Sequence, residues 1–231
     1  MTRWSSIAPV VASVVAVFAL AASATSCTSD AHRTGASAAR HAGVGVVADG
    51  CGLTSRLASG VVVQRPGQVV TVAHAIAGAS SVSVVDDTGT AHPATVTAFD
   101  KDRDLAVLNV PSLAAPALNT APSAIGPGAI VSWSRDEGVS YQTVSVTREL
   151  MVTIEDIYVE DVVKRRGIEV RGDIHKGDSG SAVLSPSGDV MGIIYAQSRS
   201  RDGYGYATDS AELDALLRTV SSTPVANGRC S

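Results

Sequence analysis

The sequence predicts an all-β fold built as two small barrels or a sandwich pair and closed by one short helix. Three observations predict it. Aromatic residues make up only 4% of the chain while hydrophobic residues reach 45%, so valine, alanine, isoleucine and leucine must fill the interior. Branched side chains of that kind pack well on pleated, half-buried surfaces. The 21 glycines suit a chain with many tight turns. Short branched runs also fall into two sets, separated by a connector rich in alanine and proline. Closure of each set into a barrel would hide the strand edges.

Taken in order, the first 27 residues stand outside this fold. Arg3 is followed by an uncharged apolar run over residues 7–24 and then by small residues up to Ser26. Charge, apolar stretch and small residues in that order read as an export signal. The run is also near the lower length limit for a membrane-spanning helix, so an uncleaved anchor associating with the membrane is the alternative. Cys27 resembles the lipid-accepting cysteine of bacterial lipoproteins, although Ala24 stands where those chains usually carry leucine. The alternative is a cysteine removed with the signal. These readings put the protein outside the cytoplasm, anchored to the cell envelope or secreted. Residues 28–45 lack periodicity and read as a flexible tether.

The domain is expected over residues 46–231. Its first half, about 46–115, holds strand-like runs at 60–63, 69–73, 81–85, 94–99 and 105–110, with Pro66-Gly67 and Thr88-Gly89 as turns. Residues 111–127 form the connector. The second half, about 125–231, holds runs at 129–133, 143–153, 168–171, 182–184, 190–196 and 204–207. The charged stretch 155–166 reads as a solvated loop. Residues 210–220 read as the helix, with Ser210 as N-cap and Leu213, Leu216 and Leu217 on one face.

Several function classes fall away at this level. A net charge of −4 and a pI near 5.7 leave no global basic field to attract nucleic acid. His32, His41, His92 and His175 show no metal-ligand spacing, and no metal or cofactor is expected. Cys51 and Cys230 bracket the domain, and an oxidising compartment would let them pair. Closing so long a loop is worth roughly 5 kcal/mol in the chain-entropy model. Two buried thiols are the alternative.

Three segments carry chemistry: Thr71-Val72-Ala73-His74 after a branched strand, the acidic cluster Asp100, Asp102 and Asp104, and Gly177-Asp178-Ser179-Gly180-Ser181. Acyl transfer at neutral pH needs an alcohol, a base to take its proton, and a group that holds the base in the right tautomer. Ser179, His74 and one of the three aspartates supply those types. Gly177 and Ser179 can offer backbone N–H groups to an oxyanion, and the flanking glycines let the loop curl. The order His, Asp, Ser is that of chymotrypsin-type enzymes, and the Gly-x-Ser-x-Gly elbow of α/β-hydrolases is missed because Ser181 takes its last position.

On these blocks the chain resembles the chymotrypsin/trypsin-like serine protease superfamily, in its bacterial HtrA/MarP-like branch without a PDZ module. The match of Asp104-Leu105-Ala106-Val107-Leu108 to the family's block selects Asp104 from the cluster. The resemblance covers about residues 45–231. It implies two six-stranded antiparallel β-barrels (trypsin-like) with a short C-terminal helix, a site in the cleft between them, and Cys51–Cys230 as a terminal staple. Ser181 replaces the second glycine of the usual motif. The resemblance also points to Asp173, Tyr195 and Gly205 as substrate-pocket residues, with Asp173 six residues before Ser179 attracting lysine or arginine; the alternative is that Asp173 pairs with neighbouring Arg171 or Lys176, or is moved by a different loop path. The expectation is therefore a monomeric, exported serine endopeptidase acting on protein or peptide substrates through His74, Asp104 and Ser179. The alternative is a catalytically silent domain that binds peptides or a partner protein.

Overall fold

The computed structural model describes Met1 and residues 37–231. Apart from Met1, the signal, Cys27, His32 and the tether as far as residue 36 lie outside the described residues. Twelve strands form two closed antiparallel barrels of six. The first holds β1 (Gly43–Asp49), β2 (Arg56–Val62), β3 (Gln68–Thr71), β4 (Ser81–Val85), β5 (Ala91–Asp100) and β6 (Leu105–Asn109). The second holds β7 (Gly126–Ser134), β8 (Gly138–Glu155), β9 (Val162–Arg171), β10 (Ala182–Leu184), β11 (Val190–Gln197) and β12 (Tyr204–Asp209). Pairing of β1 with both β2 and β4 closes the first barrel. Pairing of β10 with β7 closes the second.

Strand alternation explains how two barrels share one chain. Ile130, Val183, Met191 and Ile194 point into the second barrel, where they meet Val144, Ile168 and Val170. Their neighbours Ala129, Val131, Ala182, Leu184 and Ile193 point the other way and join the cluster that fills the first barrel. Period-two alternation thus gives one sheet two apolar faces. The final helix, Ser210–Leu217, adds Leu213 and Leu216 to that shared core. Its N-cap is Asp209, which accepts from Ala211 N–H at 2.8 Å, so the expected Ser210 cap and an end at residue 220 are corrected.

Two further expectations are corrected. The tether does not extend to residue 45: residues 37–42 are helical, Ala39 and Ala42 are fully buried, and β1 begins at Gly43. A Cβ on Gly45 would overlap the indole of Trp133, so this glycine serves close packing between the barrels. Nor is 155–166 a solvated loop. Strands β8 and β9 stay paired as far as Glu155 opposite Val162, and the tip of this long hairpin docks on the first barrel. There Lys101 Nζ contacts Asp156 Oδ2 at 2.6 Å and Asp161 Oδ2 at 3.0 Å. The hydrogen bond from Lys101 holds the Asp156 carboxyl at about 2.

Cys51 and Cys230 are joined, with an S–S distance of 2.01 Å, and close a loop of 179 residues. The segment before Cys230 lies along the turn that follows His74. Asn227 Nδ2 donates to the carbonyls of Ile76 and Ala79 at 2.8 and 2.9 Å, and Gly78 N–H donates to Asn227 O at 2.9 Å. Among the described residues no helix is long and apolar enough to cross a membrane.

Candidate active site

Strand β3 delivers Thr71 and Val72 into a single-turn helix, Ala73–Ile76. Ala73, Ala75 and Ile76 turn into the core, which leaves His74 with 36% of its side chain exposed. Arg56 Nη1 donates to His74 O at 2.9 Å, and Ser231 Oγ reaches the same oxygen at 3.3 Å.

Asp104 precedes β6 with φ +53°, a left-handed conformation that closes the turn after Asp100. Its carboxylate, 7% exposed, accepts His74 Nδ1 at 2.8 Å through Oδ2 and at 3.1 Å through Oδ1. Oδ1 also accepts the His74 backbone N–H at 2.9 Å. Ring and backbone are therefore clamped by one group. A donor Nδ1–H leaves Nε2 as the basic nitrogen. Asp100 and Asp102, the other members of the acidic cluster, do not reach His74; Asp100 Oδ1 instead accepts the N–H groups of Asp102 and Arg103 at 3.0 and 2.8 Å.

The turn that carries Asp104 belongs to the first barrel but is braced by the second. Thr208 Oγ1 donates to Arg103 O at 3.1 Å, and Arg103 Nε donates to Glu212 Oε2 at 2.8 Å. Arg165, from the long hairpin, donates to Asp102 O at 3.0 Å and lies 4.2 Å over the Tyr195 ring. It is 4% exposed. Replacing Arg165 with Met is expected to lower kcat about tenfold with KM little changed, since small displacements of a positioned base cost 10- to 100-fold. Peptide-hydrolysis kinetics on protein of verified fold check this, and an unchanged kcat would show that Asp104 holds its place without the brace.

Ser179 is half-buried in a curled turn. Asp178 N–H donates to His175 O at 3.1 Å, Ser181 N–H to Asp178 O at 2.9 Å and Gly180 N–H to Ile194 O at 2.8 Å. Gly180 has φ +90°, and a Cβ there would run into the Ser59 carbonyl. Gly177 has φ +115°. Among the described residues neither Gly177 N–H nor Ser179 N–H has an acceptor, so two donors stand free beside the hydroxyl. Ser179 Oγ itself rests 3.5 Å from Tyr195 O and makes no hydrogen bond to His74. The side chain of Ser181 is fully buried, with no partner for its hydroxyl. Asp178 turns inward: burial pushes its carboxyl up, and Oδ2 accepts His175 N–H at 2.7 Å.

The expected pocket residues are placed differently. Asp173 is 80% exposed and pairs at 3.0 Å with His175 Nε2; His175 lines the pocket that adjoins Ser179, whereas Asp173 lines a neighbouring cavity of about 540 Å³ with Gly177 and Asp178. The next residue, Ile174, takes the inward position; a Cβ on Gly205 would sit 2.9 Å from its side chain. That contact closes the Gly205 face. Tyr195 offers its carbonyl near Ser179, while its ring lines a neighbouring trough of about 530 Å³ with Leu150, Val152, Ile154 and Tyr206. The pocket beside Ser179, of about 400 Å³, is lined by His175, Gly177, Ile194, Ala196 and Gln197 together with the exposed Lys176 and Arg199. Lys176, Arg199, Arg165 and the trough were not singled out from the sequence. The alternation of Leu150, Val152 and Ile154 was the one available signal for the trough. Among the described residues no group of three or more His, Cys, Asp or Glu could hold a metal ion.

Two six-stranded antiparallel β-barrels, one carrying a hydrogen-bonded His–Asp pair and the other a serine on a glycine-flanked turn, are the architecture of a class of hydrolytic domain, and comparison with known proteins supports that class. Residues 58–193 match the trypsin-like peptidase domain. The chain is 30% identical over 170 residues to the serine protease Rv3671c of Mycobacterium tuberculosis, and 29% identical over 195 residues to the serine protease Do-like HtrA of Lactococcus lactis. These alignments cover 71% and 74% of this chain but 43% and 46% of the relatives, so the chain spans less than half their length. Among solved structures, the active form of the M. tuberculosis Rv3671c protease superposes with a TM-score of 0.79 at 23% identity, covering 100% of this chain and 99% of that one. The HtrA-type protease AlgW with tripeptide gives 0.69 at 22%, covering 81% and 62%. The chain belongs to the trypsin-like peptidase family.

Proposed function

We propose that this protein is an exported serine endopeptidase that hydrolyses peptide bonds through His74, Asp104 and Ser179. The observation that carries the reading is the double clamp of Asp104 on His74, which fixes a basic Nε2 toward the cleft where Ser179 stands between two free N–H donors. Ser179 Oγ attacks the scissile carbonyl while His74 Nε2 takes its proton. Asp104 holds Nδ1–H and stabilises the imidazolium that forms. The negative oxygen of the tetrahedral intermediate is received by the N–H groups of Gly177 and Ser179. His74 returns the proton to the leaving amine, and water then cleaves the acyl-enzyme by the same steps. The Ser179–His74 hydrogen bond closes on substrate binding, as such bonds often do in unliganded sites.

Export rests on the charge and hydropathy order of residues 1–27, with Cys27 as lipid acceptor or the apolar run as anchor. In this reading the domain acts on protein or peptide substrates as a monomer, with His74, Asp104 and Ser179 all supplied by one chain. Reaction with a fluorophosphonate probe tests the enzyme reading. The wild-type protein is expected to label and Ser179→Ala is not. Absence of label from both, with the disulfide intact, would leave a domain that only binds peptides.

A further inference from the structure

The pocket beside Ser179 carries a charge pattern opposite to the one Asp173 would have given it. Lys176 and Arg199 stand at its rim, both exposed, and among the described residues neither makes an ion pair or a hydrogen bond. No carboxylate lines this pocket. The nearby acidic groups already have partners: Asp173 faces solvent and pairs with His175, which itself lines the pocket, Glu169 is held by Arg148 and Arg201, and Asp178 turns to the His175 backbone. Ile174 closes the Gly205 face, so depth is limited and the wall beyond Ser179 is formed by Ile194 and Ala196.

Building on the peptidase reading, we propose that this pocket selects an acidic side chain, glutamate above aspartate, on the residue whose carbonyl Ser179 attacks. The two methylenes of glutamate lie along Ala196 and the Gly177 turn, and its carboxylate reaches the rim between Lys176 and Arg199. Arginine there can meet a carboxylate with two parallel N–H donors, while the lysine ammonium supplies a mobile point charge. A lysine or arginine side chain in the same place would bring a third cation against two that have no counter-ion. That repulsion rejects the basic substrates as much as the attraction favours acidic ones.

Four fluorogenic peptides that differ only at this residue, bearing Glu, Gln, Leu or Lys, test the proposal on the purified protein. The expected order of kcat/KM is Glu above Gln and Leu, with Lys lowest, and a Glu-to-Lys ratio of at least about tenfold that falls as salt rises. Lys176→Gln and Arg199→Gln should each bring the Glu-to-Gln ratio toward one. The double reversal Lys176→Glu with Arg199→Glu should place the Lys peptide above the Glu peptide. Cleavage of the Leu or Lys peptide as fast as the Glu peptide overturns the acidic preference and leaves the peptidase reading standing. Failure to cleave any of the four, together with absence of fluorophosphonate label, overturns both.

Discussion

Replacing Ser179 with alanine is expected to lower kcat/KM for a peptide substrate by about 10⁶-fold, with almost no change in stability. Both halves of that expectation follow from the contacts of the side chain. Its hydroxyl touches the rest of the protein only through the 3.5 Å approach to Tyr195 O, so its removal leaves no strong bond unmade. The backbone of the turn is held by other groups: Ser59 N–H donates to Ser179 O at 2.8 Å, and Gly180 N–H to Ile194 O at 2.8 Å. The free N–H groups of Gly177 and Ser179 therefore stay in position, and a residual rate from them is expected. His74→Ala should cost a similar factor, and the double variant no more than either single one, because the base and the nucleophile act as one unit. Steady-state kinetics with thermal denaturation of each variant decide it. A Ser179→Ala protein that keeps more than about one hundredth of the activity would place the nucleophile elsewhere, given that subtilisin loses orders of magnitude more.

Replacing Cys51 and Cys230 with serine is expected to reduce stability by about 5 kcal/mol, the entropy recovered when a loop of 179 residues is opened in the unfolded chain. For a domain of this size that amounts to a fall in Tm of about 10–20 °C. A second effect should accompany it. The bridge anchors the segment in which Asn227 engages the carbonyls of Ile76 and Ala79 and Ser231 meets His74 O. Freed from Cys51, this segment loses its hold on the turn that supports the base, and kcat should fall more than KM rises. Thermal and urea unfolding of the double variant beside the oxidised protein check the first effect, and peptide kinetics below its Tm check the second. A Tm within about 3 °C of the parent would show that the segment docks through its hydrogen bonds alone, since 1 kcal/mol already moves Tm by about 2–4 °C.

Much of the fold was legible because branched strands announce themselves locally. The runs 105–110, 182–184 and 190–196 read as strands, and strands occupy Leu105–Asn109, Ala182–Leu184 and Val190–Gln197, where nearly every apolar side chain is buried. What escaped depends on partners distant in sequence. Gly43 and Gly45 look like spacer until Trp133 of the other barrel lies against the second of them. Asp156 and Arg165 look solvated because their partners, Lys101 and the carbonyl of Asp102, lie 55 and 63 residues earlier. Chain order and local motif placed His74, Asp104 and Ser179 in one reading, and the resemblance alone chose Asp104 from its cluster. Asp173 lines the cavity next to the Ser179 pocket rather than that pocket itself, because its side chain is exposed while the following Ile174 is buried.

The bracing of the Asp104 turn by Arg165, Thr208 and Glu212 has a consequence for the life of the polypeptide before it is fully folded. A first barrel formed alone would keep the Asp100 bonds to the N–H groups of Asp102 and Arg103 but would lack the anchors that Arg165, Thr208 and Glu212 give the same turn. On the proposed mechanism Ser179 too arrives only with the second barrel, so a half-built molecule would lack both the serine and the brace, and neighbouring chains would be spared its chemistry until assembly is finished.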